Sequence, residues 1–389
     1  MSAKVLILID WFLPGNKAGG PVKSIYSLVS ELQDKDKAID FYIITLNTDI
    51  NSKKTYENIV SDKWTNYKGL KIFYFSKSKF TVSNIIQVTK SISPDVIYIN
   101  SFWSFKFSIL PLFLKKIFLL NIPIIIAPRG MLAEGSLAIK SFKKKLFLLL
   151  SKVMKLHKKV IFHVTSLPEQ KAVLELYKNS KVFFIDNMTS IKIHKEQVNK
   201  SENRLKLIFL SRISPVKNLD YALKVLKELP MPNNAKIEMD IYGNNEDTDY
   251  WKICKEKIKQ MPENIIVKYK GILDFDEVGS TILKYHFLFL PTRNENFGHA
   301  IVETLLCGRP VIISNQTPWN SVHDFCGFVC DLQQPSCFQE SILKALSMND
   351  EKFIQFCENS TTFINQKLEI EKLRKEYLNM FNYARESRK

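Results

Sequence analysis

Short apolar runs alternate with helix-like stretches along nearly the whole chain, in two successive series. In the first, strands are expected at 3–10, 39–46, 70–75, 95–100, 122–127, 160–165 and 181–186, and helices near 21–33, 82–91, 105–120, 138–157 and 168–177. In the second, strands are expected at 206–212, 236–242, 265–270, 286–291, 310–314 and 327–331, and helices at 218–229, 247–260, 275–284, 298–307 and 336–347. Strand–helix alternation requires crossover connections, so each series predicts a parallel, doubly wound α/β sheet with helices on both faces. The polar segment 191–203 reads as a linker, and the tail 350–385 as charged helix.

A chain of 389 residues can bury two cores of this kind. All six cysteines lie in the second half, without a Cys-x-x-Cys pair or a zinc-like His/Cys spacing, and read as reduced core thiols of a cytoplasmic protein. No signal peptide is expected, because Met1–Asp10 reads as the first strand. The apolar stretch from Phe107 to Ala127 is broken by Pro111, Lys115, Lys116 and Pro123 and does not read as a membrane span.

The net charge of +17 is unevenly placed. Residues 1–195 carry 30 Lys/Arg against 13 Asp/Glu, whereas 196–389 carry 26 of each. Between Val96 and Pro168 there are 12 basic residues and one acid, Glu134. The stretch Ile139–Lys159 mixes apolar and basic positions at helical spacing. Such a helix can lie on an anionic membrane or draw in a phosphate-bearing acceptor; a core-packed helix with a solvated basic face is the alternative. No nucleic-acid motif accompanies the charge, and no nucleic-acid partner is expected.

Two glutamates, Glu295 and Glu303, stand eight positions apart after the apolar run 286–291. The first falls on a strand-to-helix loop and the second about a turn and a half inside the helix. Both can face the crevice above the strand's carboxyl end, where open α/β sheets bind ligands. Between them, Asn296, Phe297 and Gly298 allow backbone N–H groups to approach a ligand at a helix start. An ordinary acid-rich helix N-terminus would show the same spacing. Arg212 and Lys217 lie on the loop after the strand 206–212, beside another helix start. This pairing suits a diphosphate, with arginine forking onto oxygens and lysine adding a point charge. Gly243 and the Gly271–Ile272 pair end two further strands, and Gly19–Gly20 open the helix after the first. In the first series Asn100 and Ser101 end one strand and Arg129 follows another. The segment Thr165–Pro168 is a sound helix cap.

Together the Ser211–Asp220 and Thr292–Thr317 segments resemble the signature of family 4 retaining glycosyltransferases of bacterial polysaccharide assembly. The resemblance implies the glycosyltransferase-B fold, two Rossmann-like domains facing a central cleft. It implies an acceptor-side domain over 1–190, a nucleotide-sugar domain over 204–365, and a helix at 366–389 that crosses back to the first domain. It gives catalytic parts to Glu295, Arg212 and Lys217. Donor binding falls to Gly19, Gly20, Gly243, Ile272, Asn296, Phe297, Gly298 and Glu303, and the acceptor side to Asn100, Ser101 and Arg129. No metal or other cofactor is expected, because the two cations neutralise the leaving diphosphate. Where many relatives carry histidines before a glycine, this chain has Tyr98, Asn100 and Ser101. The function implied is transfer of a sugar, with retention, from a UDP- or GDP-sugar to a glycan or polyprenyl-pyrophosphate-linked acceptor. The expected place is the inner face of a bacterial cell membrane, in capsule, O-antigen, lipopolysaccharide or exopolysaccharide synthesis. A nucleotide-sugar epimerase of the same fold and a silent sugar-nucleotide or membrane-binding protein are the alternatives.

Overall fold

The strand–helix series form two separate sheets in the computed structural model, which describes residues 2–35, 38–132, 141–189, 199–245 and 247–388. The chain divides into two compact units, Met1–Ser190 with Ile370–Lys389, and Ile191–Glu369.

The first unit runs β1 (Ala3–Leu8), α1 (Gly20–Lys35), β2 (Ile39–Leu46), β3 (Trp64–Tyr67), β4 (Leu70–Phe75), α2 (Val82–Ile92), β5 (Val96–Ile99), α3 (Leu110–Lys116), β6 (Ile124–Ile126), α4 (Ser141–Val153), β7 (Val160–Val164), α5 (Leu167–Leu176) and β8 (Lys181–Phe184). Its sheet has the order β3-β4-β2-β1-β5-β6-β7-β8 and is parallel except for β3. Every residue of β5, β6 and β7 is buried, as continuous apolar strands covered on both faces must be.

The second unit runs β9 (Arg204–Leu210), α6 (Leu219–Lys227), β10 (Lys236–Tyr242), α7 (Thr248–Lys259), β11 (Ile265–Gly271), α8 (Val278–Ile282), β12 (Phe287–Leu290), α9 (His299–Leu306), β13 (Val311–Ser314), β14 (Gly327–Cys330), α10 (Pro335–Ser347) and α11 (Asp350–Lys367). The order β11-β10-β9-β12-β13-β14, all parallel, is the doubly wound order 3-2-1-4-5-6. The chain then returns to the first unit through α12 (Ile370–Glu386), whose Leu373, Tyr377, Met380, Phe381 and Ala384 are buried at helical spacing.

Both sheets reverse their winding at one place, between β1 and β5 in the first and between β9 and β12 in the second. A crevice opens outside the strand carboxyl ends at such a point, because the flanking connections leave toward opposite faces.

Three elements depart from the sequence expectation. Trp64–Tyr67 forms β3, an antiparallel hairpin with β4. Its two-residue turn has Lys68 and Gly69 at φ 52° and 82°, the turn that matches strand twist, but lysine at the first position hides the signal. The helix expected over 105–120 begins as a π-helical turn at Phe105–Ile109, becomes α-helical one residue before Pro111, and stops at Lys116. Proline offers no N–H to the preceding turn, so the wider turn joins it with less conflict. The helix expected over 275–284 shrinks to a 3-10 turn and the five residues of α8, which contain Gly279.

Of the expected linker, 191–198 lie outside the described residues, as do His194 and positions 138–140 of the expected basic helix. Lys200 is buried in the second unit, where its ammonium donates to the carbonyls of Ser201, Leu346 and Met348. Among the described residues no helix is long and apolar enough to cross a membrane.

Candidate functional site

At the β9/β12 switch point two loops are knitted together. Asn218 caps α6 in the left-handed region at φ 63° and reaches across, its Nδ2 donating to the Pro291 carbonyl at 3.0 Å. In return, Arg293 donates from its backbone N–H to the Val216 carbonyl at 2.8 Å and from Nε to Asn218 Oδ1 at 3.0 Å. Thr292 Oγ1 donates to the same Val216 carbonyl at 3.1 Å. These bonds bring Lys217 against Glu295, Nζ to Oε2 at 2.5 Å, with side chains only 13% and 17% exposed. Coulomb attraction is strong where so little water screens it. The Glu295 N–H donates to the Gln316 carbonyl at 3.0 Å, which fixes the carboxylate's backbone from the β13 side.

The glycines hold this surface open. Gly298 precedes α9 at φ 81°, where a Cβ would stand 3.1 Å from Glu295 Cγ and 3.3 Å from Trp319 Nε1. Phe297 is buried and its carbonyl accepts from Trp319 Nε1 at 2.5 Å; Asn296 beside it is half-buried. Glu303 lies in α9 and is buried. Gly243 packs so closely under the first loop that a Cβ would meet the Ser211 carbonyl oxygen at 1.8 Å. Its N–H donates to the Gly271 carbonyl at 2.8 Å, which places the exposed Ile272 at the neighbouring strand end. Arg212 is exposed, and no hydrogen-bond or ion-pair partner engages it among the described residues.

The first unit builds a different surface at its strand ends. Arg129 and Gly130 form a tight turn, φ 55° and 74°, closed by the Met131 N–H donating to the Pro128 carbonyl at 3.1 Å. The turn folds the Arg129 guanidinium back over the sheet. It donates to Asn100 Oδ1 at 2.7 Å, to the Tyr98 hydroxyl at 2.9 Å and to Asn187 Oδ1. These acceptors are neutral, and no carboxylate pairs with the guanidinium among the described residues. Asn100 Nδ2 donates to the Pro21 carbonyl at 3.2 Å, which ties the Gly19–Gly20 loop to the same network; Gly19 itself has φ 64°. Ser101 stays apart, its hydroxyl directed at Met131 Sδ at 3.8 Å. Glu169 is buried and accepts from the N–H groups of Gly130 at 2.5 Å and Thr165 at 2.8 Å. Ser166 caps α5 through the Glu169 N–H.

Tyr98 and His163 are both fully buried, with the hydroxyl 2.7 Å from Nδ1 and Nε2 3.0 Å from the Ile185 carbonyl. Nε2 therefore carries the proton and Nδ1 accepts from Tyr98. Burial first, and the Arg129 charge second, hold the imidazole down at about 3, so it is neutral. Burial pushes the Tyr98 phenol up to about 12. His157 stacks on Phe102 inside the same core.

Sequence reasoning passed over Asp10. It follows β1 at the switch point and accepts from the Ser104 hydroxyl at 2.6 Å. Desolvation raises its carboxyl above the usual range despite that hydrogen bond. Asp10, Trp11, Ser101, Trp103, Ser104, Met131 and Lys144 line a cavity of about 440 Å³. Lys144 Nζ lies 5.4 Å from the Trp103 ring centroid, and Trp103 Nε1 donates to the Met131 carbonyl at 3.1 Å. A polar residue closing an apolar strand was the signal available for Asp10. Asn187 gave none, because its role depends on strand order, whereas Glu169 belongs to the helix-start segment His163–Glu169 that the sequence marks.

Residues 190–362 match the family described as glycosyl transferases group 1, which is less than half of the chain. An uncharacterized glycosyltransferase of Methanocaldococcus jannaschii is 23% identical over 204 residues, 51% of this chain and 50% of that protein. An O-antigen chain mannosyltransferase B of Escherichia coli is 23% identical over 141 residues, 36% of each chain. The matches thus span half or less of the length of these curated relatives. Among solved structures, Anabaena HepE in complex with UDP and glucose superposes with a TM-score of 0.69 at 15% identity, covering 98% of this chain and 100% of that one. The fold is the two-sheet glycosyltransferase-B fold, and the match to the group 1 glycosyl transferase model falls on its second unit.

Proposed function

We propose that the chain is a nucleotide-sugar-dependent retaining glycosyltransferase of family 4 type, acting in cell-surface polysaccharide assembly. The observation that carries this is the convergence of Lys217, Glu295 and the Gly298 helix start on the switch point of the second sheet. A UDP- or GDP-sugar suits that surface. Arg212 and Lys217 neutralise the departing diphosphate, so no metal is required in this reading. Glu303 accepts from the ribose hydroxyls, and Gly243 and Ile272 border the diphosphate and the base. Glu295 binds a donor hydroxyl and stabilises positive character at the anomeric carbon as the bond to the phosphate oxygen breaks. The acceptor hydroxyl attacks from the face the diphosphate leaves, and its proton passes to the leaving phosphate oxygen.

The first unit handles the acceptor. Arg129 with its neutral partners suits a phosphate, and the Asp10–Trp103 cavity suits a sugar, with a carboxylate for hydroxyls and an aromatic face for the ring. A polyprenyl-pyrophosphate-linked glycan combines both chemistries. The relative named for O-antigen mannosyl transfer and the UDP and glucose bound to the Anabaena structure support the same reading. The excess positive charge of residues 1–195 supports a position on the inner face of the cell membrane.

The test is nucleotide release from a panel of UDP- and GDP-sugars, with and without a membrane lipid extract. Release is expected with one donor, accelerated by the extract, and lowered about 10²–10³-fold in Lys217→Ala and Glu295→Ala. Undiminished release in Lys217→Ala would overturn the mechanism, and thermal stabilisation by neither UDP nor GDP would overturn the donor class.

A further inference from the structure

The first unit leaves a group of large apolar side chains in water. Phe118 is 83% exposed, Val153 73%, Leu149 60% and Leu150 50%. They come from α4 and from the turn that ends α3. Helix α3 joins β5 to β6 and α4 joins β6 to β7, so both crossovers step the same way along the sheet. Parallel crossovers are right-handed, which puts the two helices side by side on one face. The end of α3 meets the turn that follows α4 at the edge where strands begin, where Lys115 Nζ donates to the Lys159 carbonyl at 3.3 Å.

Phe118 is costly twice over. Its backbone is left-handed at φ 61°, a conformation that bulky residues rarely adopt. The N–H groups of Leu119 and Leu120, both donating to the Leu114 carbonyl, hold the turn. The ring thereby gained by solvent has no aromatic or cationic partner among the described residues, and a patch of this kind marks an interaction surface.

Charge decides what covers it. Lys116, Lys152, Lys155 and Lys158 are exposed on the same helices and the turns that end them, within a span whose one acid is Glu134. A second copy docked about a two-fold axis would press this basic face against itself. An anionic bilayer offers acyl chains to the apolar side chains and headgroups to lysines that snorkel around them.

We propose that the ends of α3 and α4 form one lipid-inserting surface, in which Phe118, Leu149 and Val153 enter an anionic bilayer and the neighbouring lysines bind its headgroups. This rests on the membrane placement proposed above and adds insertion to attraction by charge. Attraction by charge alone vanishes when salt is high; insertion does not.

Flotation of the full chain with vesicles of phosphatidylcholine, alone or mixed with phosphatidylglycerol, tests it at low salt and at about 1 M NaCl, where the Debye length is about 3 Å. The wild type is expected to float with the mixed vesicles at both salts. Phe118→Ser/Leu149→Ser/Val153→Ser is expected to float at low salt and to fall at least tenfold behind the wild type at high salt, with unchanged circular dichroism. Complete release of the wild type at high salt would overturn insertion and leave charge-driven binding standing. No flotation at low salt would overturn both. Self-association in sedimentation, lost in the triple variant and accompanied by no vesicle binding, would assign the surface to a second copy. Should the triple variant misfold, Phe118→Trp in the otherwise native chain is expected to be quenched by brominated lipid beyond the background of the native tryptophans; no added quenching would overturn insertion.

Discussion

Gly243 has room for nothing larger than hydrogen, since a Cβ would sit 1.8 Å from the Ser211 carbonyl oxygen, and its φ of 152° adds strain for any L side chain. Ala at this position is expected to cost about 3 kcal/mol or more, measured as a drop in the unfolding midpoint in urea. A Gly243→Ala protein of unchanged stability would show that the β9 loop shifts freely, against the close fit described. Gly298→Ala is milder, about 1–2 kcal/mol, because the strain is mainly conformational and its neighbours are side chains at 3.1–3.3 Å. At this scale the sequence was informative where one short segment holds both the element boundary and the special residue. The positions of Glu295 and Gly298 before α9 and of Glu303 inside it were legible for that reason, as were those of Arg212 and Lys217 on the loop after β9. The contact of Lys217 with Glu295 was not, since nothing in a local pattern relates residues 78 positions apart. The resemblance assigns Arg129 to the acceptor side, but its hydrogen-bond acceptors are Tyr98 in β5, Asn100 just after it and Asn187 beyond β8, and only the strand order brings them together.

The element with most influence beyond its own neighbourhood is α12. Phe381 meets Phe41 and Tyr98 edge-on at 5.9 Å, and the Tyr377 ring stands 5.1 Å from His163 while its hydroxyl donates to the Asp186 carbonyl. This helix thus closes the core beneath the Arg129–Tyr98 network. Phe381→Ala is expected to cost about 3–5 kcal/mol, seen as an earlier loss of near-ultraviolet circular dichroism on heating. A cost below about 1 kcal/mol would mean the helix is peripheral to that core. Elements were legible where apolar periodicity ran unbroken: β2, β4 and β10 begin and end where the sequence indicates. Legibility failed where backbone chemistry outweighed periodicity. Pro111 turned one expected helix into a π turn and a shorter α3, and a Lys–Gly turn concealed β3.

At the scale of the whole molecule, three buried histidines among the described residues share one electrostatic character. Burial depresses His163 to about 3 and His157 and His286 to about 4, against about 6.5 when unfolded. His286 accepts the Lys206 N–H at Nδ1, which also requires the neutral ring. The unfolded chain therefore takes up protons that the native chain refuses. Stability is intact above about pH 6.5 and falls as the pH drops toward 4, by up to about 1.4 kcal/mol per histidine per pH unit. Melting temperatures measured from pH 7.5 to 4.5 should decline, with a shallower decline in His163→Gln; a flat profile between pH 7 and 5 would contradict this. The doubly wound class was legible because alternation specifies it, whereas the position of each winding reversal was not, since strand order is set by packing between distant segments. The return of α12 to the first unit has a temporal meaning as well. The second unit, Ile191–Glu369, is an insertion within the first, and the residues that complete the first core are made only after the whole second unit. The usual order of synthesis, N-terminal part first, is inverted here: the later unit can finish folding while the earlier one still waits for its closing helix.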